Sequence, residues 1–237
     1  MTNIIGLTSV LLGGLIGIVV IIKVFKPSKI RLLTLMLGVA AFFVSMFVQT
    51  PIQQLPFLFE GIKTVEDIIA QGIFITIIAA FYMGFVAGAV QEGIKYAFLK
   101  KDNINLGFYI GLGFGLAEVI YLLINGALTI LIYGSTTVNI SPILYVFTGV
   151  ERFLVVIFHT VTAVFMTLYG INGLIIAIVS HGAIDSLAAC IQFYSYVHGY
   201  DTFILWTTGI LYVLIFVLDI AFLKSVENVR KSVTETT

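Results

Sequence analysis

The feature that most constrains this chain is a succession of apolar runs, each about 20 residues long, separated by short polar joints. A helix of that length matches the ~30 Å hydrocarbon thickness of a bilayer at ~1.5 Å of rise per residue. Seven such runs can be drawn, at about 4–24, 31–50, 69–97, 105–131, 143–169, 172–195 and 203–223. The third to fifth exceed one bilayer thickness, which predicts tilt or projection. The first has no basic segment ahead of it and no small-residue cleavage site behind it, so it reads as a retained helix rather than a signal peptide. The expected fold class is all-α. It is a polytopic membrane helical bundle of about seven transmembrane helices, one integral membrane domain over 1–237, multi-pass in the cell membrane.

Composition closes off the alternatives. Of 237 residues, 60% are hydrophobic and only 10% charged. A soluble domain of this size has too little interior to hide that much apolar surface. Formal net charge is zero, so no basic surface points to nucleic acid. The single cysteine, Cys190, excludes an intrachain disulfide and a multi-cysteine metal site.

The basic residues set an orientation. Lys23, Lys26, Lys29 and Arg31 lie in the first joint, Lys100 and Lys101 in the third, and Lys224, Arg230 and Lys231 beyond the last run. The opposite joints carry Glu60, Lys63, Glu66 and Asp67, then the uncharged 134–142 stretch, then His198 and Asp201. The positive-inside rule then puts the N-terminus outside and the C-terminus in the cytoplasm. No proline falls inside an apolar core and no internal repeat is visible, which counts against an inverted-repeat transporter.

An ionisable side chain at mid-membrane costs several kcal/mol unless it is paired or liganded, so such residues mark function. Here they are Glu92 and Lys95 in the third run, Glu118 in the fourth, Glu151, Arg152 and His159 in the fifth, and His181 and Asp185 in the sixth. Counted from the cytoplasmic ends, Glu92 and His181 lie roughly 12 Å deep, His159 roughly 16 Å and Glu118 near 20 Å. Candidate ligands or bases on four helices thus share one layer. Gly84, Gly88 and Glu92 form one four-residue stripe, and Gly107, Gly111 and Gly115, followed by Glu118, form another. If these small-residue stripes face each other, they bring Glu92 and Glu118 together. Gly13 and Gly17 offer a contact for a homodimer.

Imidazoles and carboxylates are common zinc ligands, and a catalytic zinc site keeps one position for water. His181 and Asp185, four residues apart, share a helix face, so Asp185 can bind the same ion or orient the imidazole. Arg152 shares nearly the same face as His159 and can stabilise an oxyanion or pair with Glu151. Plainer readings stand beside these. Glu92 with Lys95, and Glu151 with Arg152, can be simple ion pairs. Asp219 with Lys224 can snorkel to the interface. Cys190 can be a packing residue. His198 can be a solvated loop residue. On the residues alone, metal chemistry and a proton or solute pathway both remain open.

Motif order adds a resemblance. Gln91-Glu92-Gly93-Ile94-Lys95 resembles the Glu-Glu-x-x-Lys/Arg motif of the CAAX-protease superfamily of intramembrane metalloproteases, with Gln91 in place of the first acid. Phe114-Gly115-Leu116-Ala117-Glu118 resembles the second motif in its PrsW-type form. His159 is placed like the third-motif histidine, and His181-Gly182-Ala183-Ile184-Asp185 is similar to the fourth. Glu151-Arg152 ahead of His159 looks most like the YhfC branch. The resemblance covers about residues 84–190, the catalytic-type core. It implies a zinc-dependent endopeptidase acting on a membrane protein or peptide, with a cavity open to the cytoplasm. It also implies that Glu92 activates water, with Lys95 and Arg152 in the catalytic set. Glu118, His159 and His181 would form the metal site, assisted by Asp185. The same superfamily includes the seven-span APH scaffold subunit of gamma-secretase, similar in its Gln-Glu motif and intramembrane histidines. That likeness implies an alternative: a noncatalytic scaffold that binds partner helices. A small permease or proton-coupled carrier is the third reading.

Overall fold

A computed structural model describes residues 4–27, 31–134 and 142–235, and among them all regular structure is helical. The helices are α1 (Ile4–Phe25), α2 (Leu32–Phe59), the short α3 (Val65–Ala70), α4 (Ile73–Ala97), α5 (Ile104–Tyr133), α6 (Pro142–His198) and α7 (Thr202–Glu235). Six are long and apolar enough to cross a membrane. One of the six, α6, is two passes joined at Gly170, whose φ of 58° and ψ of −132° interrupt the helix. An L side chain rarely adopts that backbone, so a glycine sits where the chain reverses. The seven expected apolar segments are therefore all helical, in six or seven helices long and apolar enough to span, according to whether α6 is taken as one or two. Lys29 and most of the 134–142 stretch lie outside the described residues.

Boundaries differ from expectation in two places. The third run is broken: Gly72, at φ 93°, separates α3 from α4. Thr64 caps α3, accepting from the Asp67 amide while Asp67 accepts from the Thr64 amide. Amides of Lys63 and Thr64 hold the Asp67 carboxyl below its ordinary range. This cap therefore persists above that range and is lost only as pH falls through the lowered value. The second run does not stop near residue 50: α2 continues through Pro51 and Pro56. A proline cannot donate to the carbonyl four residues back. For Pro56 that carbonyl is Ile52, and the Tyr82 hydroxyl donates to it instead.

The hairpin α6 is the spine of the bundle. α1 packs on its first limb, where a Cβ on Gly17 would meet the Phe153 carbonyl oxygen at 2.9 Å, and Gly13 abuts the Gly149 carbonyl. Gly13 and Gly17 thus face the chain's own α6, and that stripe is closed to a second copy. The two other glycine stripes also meet α6 rather than each other. On α4, Gly88 lies against Gly182, with Gly84 against Ser186. On α5, Gly111 lies against Thr160 and Gly115 against Val156. α4 therefore docks on the second limb and α5 on the first.

Ring contacts show which turns share an end. Phe25 meets Phe108 and Phe165 meets Phe222, while the Asp102 amide donates to the Thr167 carbonyl. The α1 end, the α4–α5 turn with Lys100 and Lys101, the Gly170 bend and the later part of α7 thus lie together. The starts of α6 and α7 and the 199–201 turn lie at the other end.

Candidate metal centre

The site forms because each limb of α6 presents one histidine to the helix docked on it. His159 is 2% exposed and faces α5 and α4; His181 is 5% exposed and faces α4. Their rings stand edge to face, with centroids 5.3 Å apart. Glu92 reaches between them from α4. Its Oε1 is 2.7 Å from His181 Nδ1 and 2.7 Å from Lys95 Nζ, and its Oε2 has no hydrogen-bond partner among the described residues. Glu92, His159 and His181 can each turn a ligand atom into one group within 4.8 Å.

All seven sequence-predicted site residues join one network. Lys95 Nζ, on α4, also contacts His159 Nδ1 at 3.0 Å and donates to Thr162 Oγ1 at 3.3 Å, above the Phe114 ring. Glu118, on α5, meets His159 Nε2 at 2.9 Å and accepts from Arg152 at 2.6 Å. Arg152 donates in turn to Glu151, whose other oxygen accepts from the Tyr212 hydroxyl at 3.2 Å. Asp185 lies 3.5 Å from His181 Nε2, one helical turn along the same face. Four acids (Glu92, Glu118, Glu151, Asp185) face two fixed cations (Lys95, Arg152). His181 places both ring nitrogens against carboxylates, so it is a third cation when protonated. The cluster then holds one negative charge in excess, and two when His181 is neutral, as a metal ligand must be.

A cavity of about 100 Å³ touches this network. Glu118, Arg152, His159, His181 and Asp185 line it, but Glu92 does not. Glu92 and Lys95 are wholly buried behind the histidines. Glu92 is grouped with both histidines but lies off the cavity, while Glu118 lines the cavity and meets His159.

The chain matches no family model, no curated protein and no solved structure. The site's chemistry rests on its own geometry.

Gln91, beside Glu92, donates to Gln49 of α2 at 2.9 Å. Gln49 and two further participants were not anticipated. Thr162 and Tyr212 complete the shells of Lys95 and Glu151. All are uncharged, so a search for ionisable residues passes over them. The reading of Asp219 as a snorkelling partner of Lys224 is overturned. Asp219 is 2% exposed, and neither of its carboxylate oxygens has a partner among the described residues. It falls on the buried stripe Leu211, Ile215, Asp219, Phe222, Val226, at spacings of four, four, three and four. Five residues of helix turn Lys224 about 140° away from it. Asp219→Leu is expected to raise stability by about 1–3 kcal/mol by removing an unsatisfied buried carboxyl. Thermal unfolding in detergent reads the change.

Proposed function

We propose that this protein is a zinc-dependent intramembrane endopeptidase of the YhfC/PrsW kind, which hydrolyses a peptide bond in or near a membrane segment. The observation that carries the reading is the meeting of Glu92, His159 and His181, from two helices, with donor atoms within 4.8 Å. The unpartnered Glu92 Oε2 and the excess negative charge fit a divalent cation in the same place. Glu92, His159 and His181 would hold it. Zinc bound there supplies Lewis acidity and brings the pKa of a bound water to about 7.

The chain's own residues divide the remaining work. Glu118 lines the cavity and is placed to take a proton from water there. Arg152, held on the cavity wall by Glu118 and Glu151, offers positive charge to an oxyanion that develops beside it. Asp185 orients His181, and Lys95 fixes the positions of Glu92 and His159. Relative to the motif resemblance, Glu92 becomes a ligand and Glu118 the base.

Metal analysis of the purified protein is the deciding experiment. About one zinc per chain is expected, lost in His159→Ala and in His181→Ala, with a Tm that falls on chelation. Glu118→Gln is expected to keep its zinc and lose cleavage of a membrane-anchored peptide. A protein that purifies without zinc, with a Tm indifferent to both zinc and chelator, would replace this reading with the noncatalytic scaffold. One observation favours that second reading: the Lys95 ammonium already bridges Glu92 and His159, so the network is held together by a built-in cation.

A further inference from the structure

The side chains of the buried network are unevenly exposed. Exposure of its carboxylate side chains is nil for Glu92, 22% for Glu118, 34% for Asp185 and 39% for Glu151. Access therefore rises toward the start of α6, not toward Gly170. A second cavity, of about 170 Å³, continues in that direction. Glu151, Ala188, Leu211 and Tyr212 line both cavities and form the wall between them. Beyond that wall the lining is mixed, with Thr148, Gln192, Ser195, Thr208 and Tyr200 beside Leu144, Phe147, Ile191 and Ile204. Gln192 and Tyr200 are exposed. Glu151 lies nine residues, or about 13 Å, from the start of α6, so this chamber spans the distance to that end.

The other direction is closed. Toward Gly170 and the lysine-bearing turn, Ala163, Met166 and Ala177 pack with Tyr96, Leu99 and Leu174. The expected opening at the lysine-bearing end is not what the packing provides.

We infer that water, and the polar part of any molecule the cluster handles, enters from the end of the bundle that carries Tyr200. The route is the vestibule between the two limbs of α6 and α7, and the Tyr212–Glu151 hydrogen bond is its gate. This route is the same whether or not the cluster carries a metal, so a different route would leave the zinc measurement untouched.

Thiol labelling in sealed vesicles tests it. Cys190 is the only cysteine and lines an apolar groove between α4 and α7 that adjoins the vestibule at Ile191, Ile204 and Leu211, so Cys190→Ala gives a blank background. Into it go Thr208→Cys in the vestibule, Ala188→Cys on the shared wall, and two markers of sidedness, Tyr200→Cys and Lys101→Cys. A membrane-impermeant methanethiosulfonate is added from one side at a time. Thr208→Cys and Ala188→Cys are expected to react only from the side that labels Tyr200→Cys, with Ala188→Cys the slower. Adding Tyr212→Phe is expected to speed labelling of Ala188→Cys about fivefold, the factor set by one hydrogen bond, and to leave Thr208→Cys unchanged. Labelling of Ala188→Cys from the Lys101 side overturns the route. So does no labelling from either side when the denatured protein labels fully. An Ala188→Cys rate indifferent to Tyr212→Phe overturns the gate.

Discussion

Lys95→Met is expected to destabilise the protein by about 3–5 kcal/mol, the cost of stranding one half of a buried ion pair. Lys95 and Glu92 are 2.7 Å apart and wholly buried. Without the ammonium, Glu92 keeps only His181 on one oxygen and nothing on the other. Thr162 and His159 Nδ1 lose a donor at the same time. Removing both charges should behave differently, because apolar side chains of similar volume need no counter-ion. Glu92→Leu/Lys95→Met is therefore expected to recover most of the loss. Zinc sharpens the comparison. If a divalent cation can stand beside Glu92 and the histidines, it replaces the missing positive charge in Lys95→Met and raises its Tm. It cannot do so in the double variant, which lacks the carboxylate. Thermal unfolding of wild type, both single variants and the double, each with zinc and with chelator, makes the measurement. A single variant as stable as the double in chelator would show that the pair does not hold the cluster together.

Gly111→Ala is expected to cost about 1–3 kcal/mol and to disturb the site from a distance. A methyl on Gly111 would sit 2.6 Å from Thr160 Cα and 2.9 Å from Ala163 Cβ, and closer still to the His159 carbonyl oxygen. The obstruction is largely backbone, so no rotamer relieves it, and α5 must move away from α6. That displacement carries Glu118 away from His159, across a contact of 2.9 Å. Gly93→Ala is the control. It is also a helical glycine, but a Cβ there meets nothing within 4 Å. In that open position alanine is expected to be neutral or stabilising by up to about 1 kcal/mol. Equal Tm values for the two variants would sink the close-packing argument. Retained zinc in an otherwise destabilised Gly111→Ala would show that the site tolerates the shift.

Much of this was legible before any coordinates. Helical rise is nearly constant, so counting residues from the polar joints placed Glu92, Glu118, His159 and His181 in one layer, and they meet there. What counting could not supply was rotation about each helix axis. A stripe of glycines says that something packs closely, not which neighbour does. The stripes of α4 and α5 were expected to face each other, yet each faces a limb of α6. Asp219 was misplaced because proximity in sequence to Lys224 outweighed the helical period, although the spacing from Leu211 to Val226 marks its face as buried. The second run is drawn only to about residue 50, because nothing in the local sequence shows that α2 continues through Pro51 and Pro56 or that Tyr82 will satisfy a carbonyl freed by Pro56. The direction of the opening depended on which end of α6 is sealed by Met166 and Leu174, a matter of side-chain fit across helices.

The pairing of Glu118 with Arg152, 34 residues further on, bears on how the protein is made. Glu92 and Lys95 emerge from the ribosome three residues apart and can neutralise each other within one helical turn. Glu118 has no such neighbour. Its helix must be handed to the bilayer while its cation is still being synthesised, and an isolated mid-membrane acid costs a few kcal/mol at that moment. α5 is thus prone to stall beside the insertion machinery until the first limb of α6 arrives with Arg152.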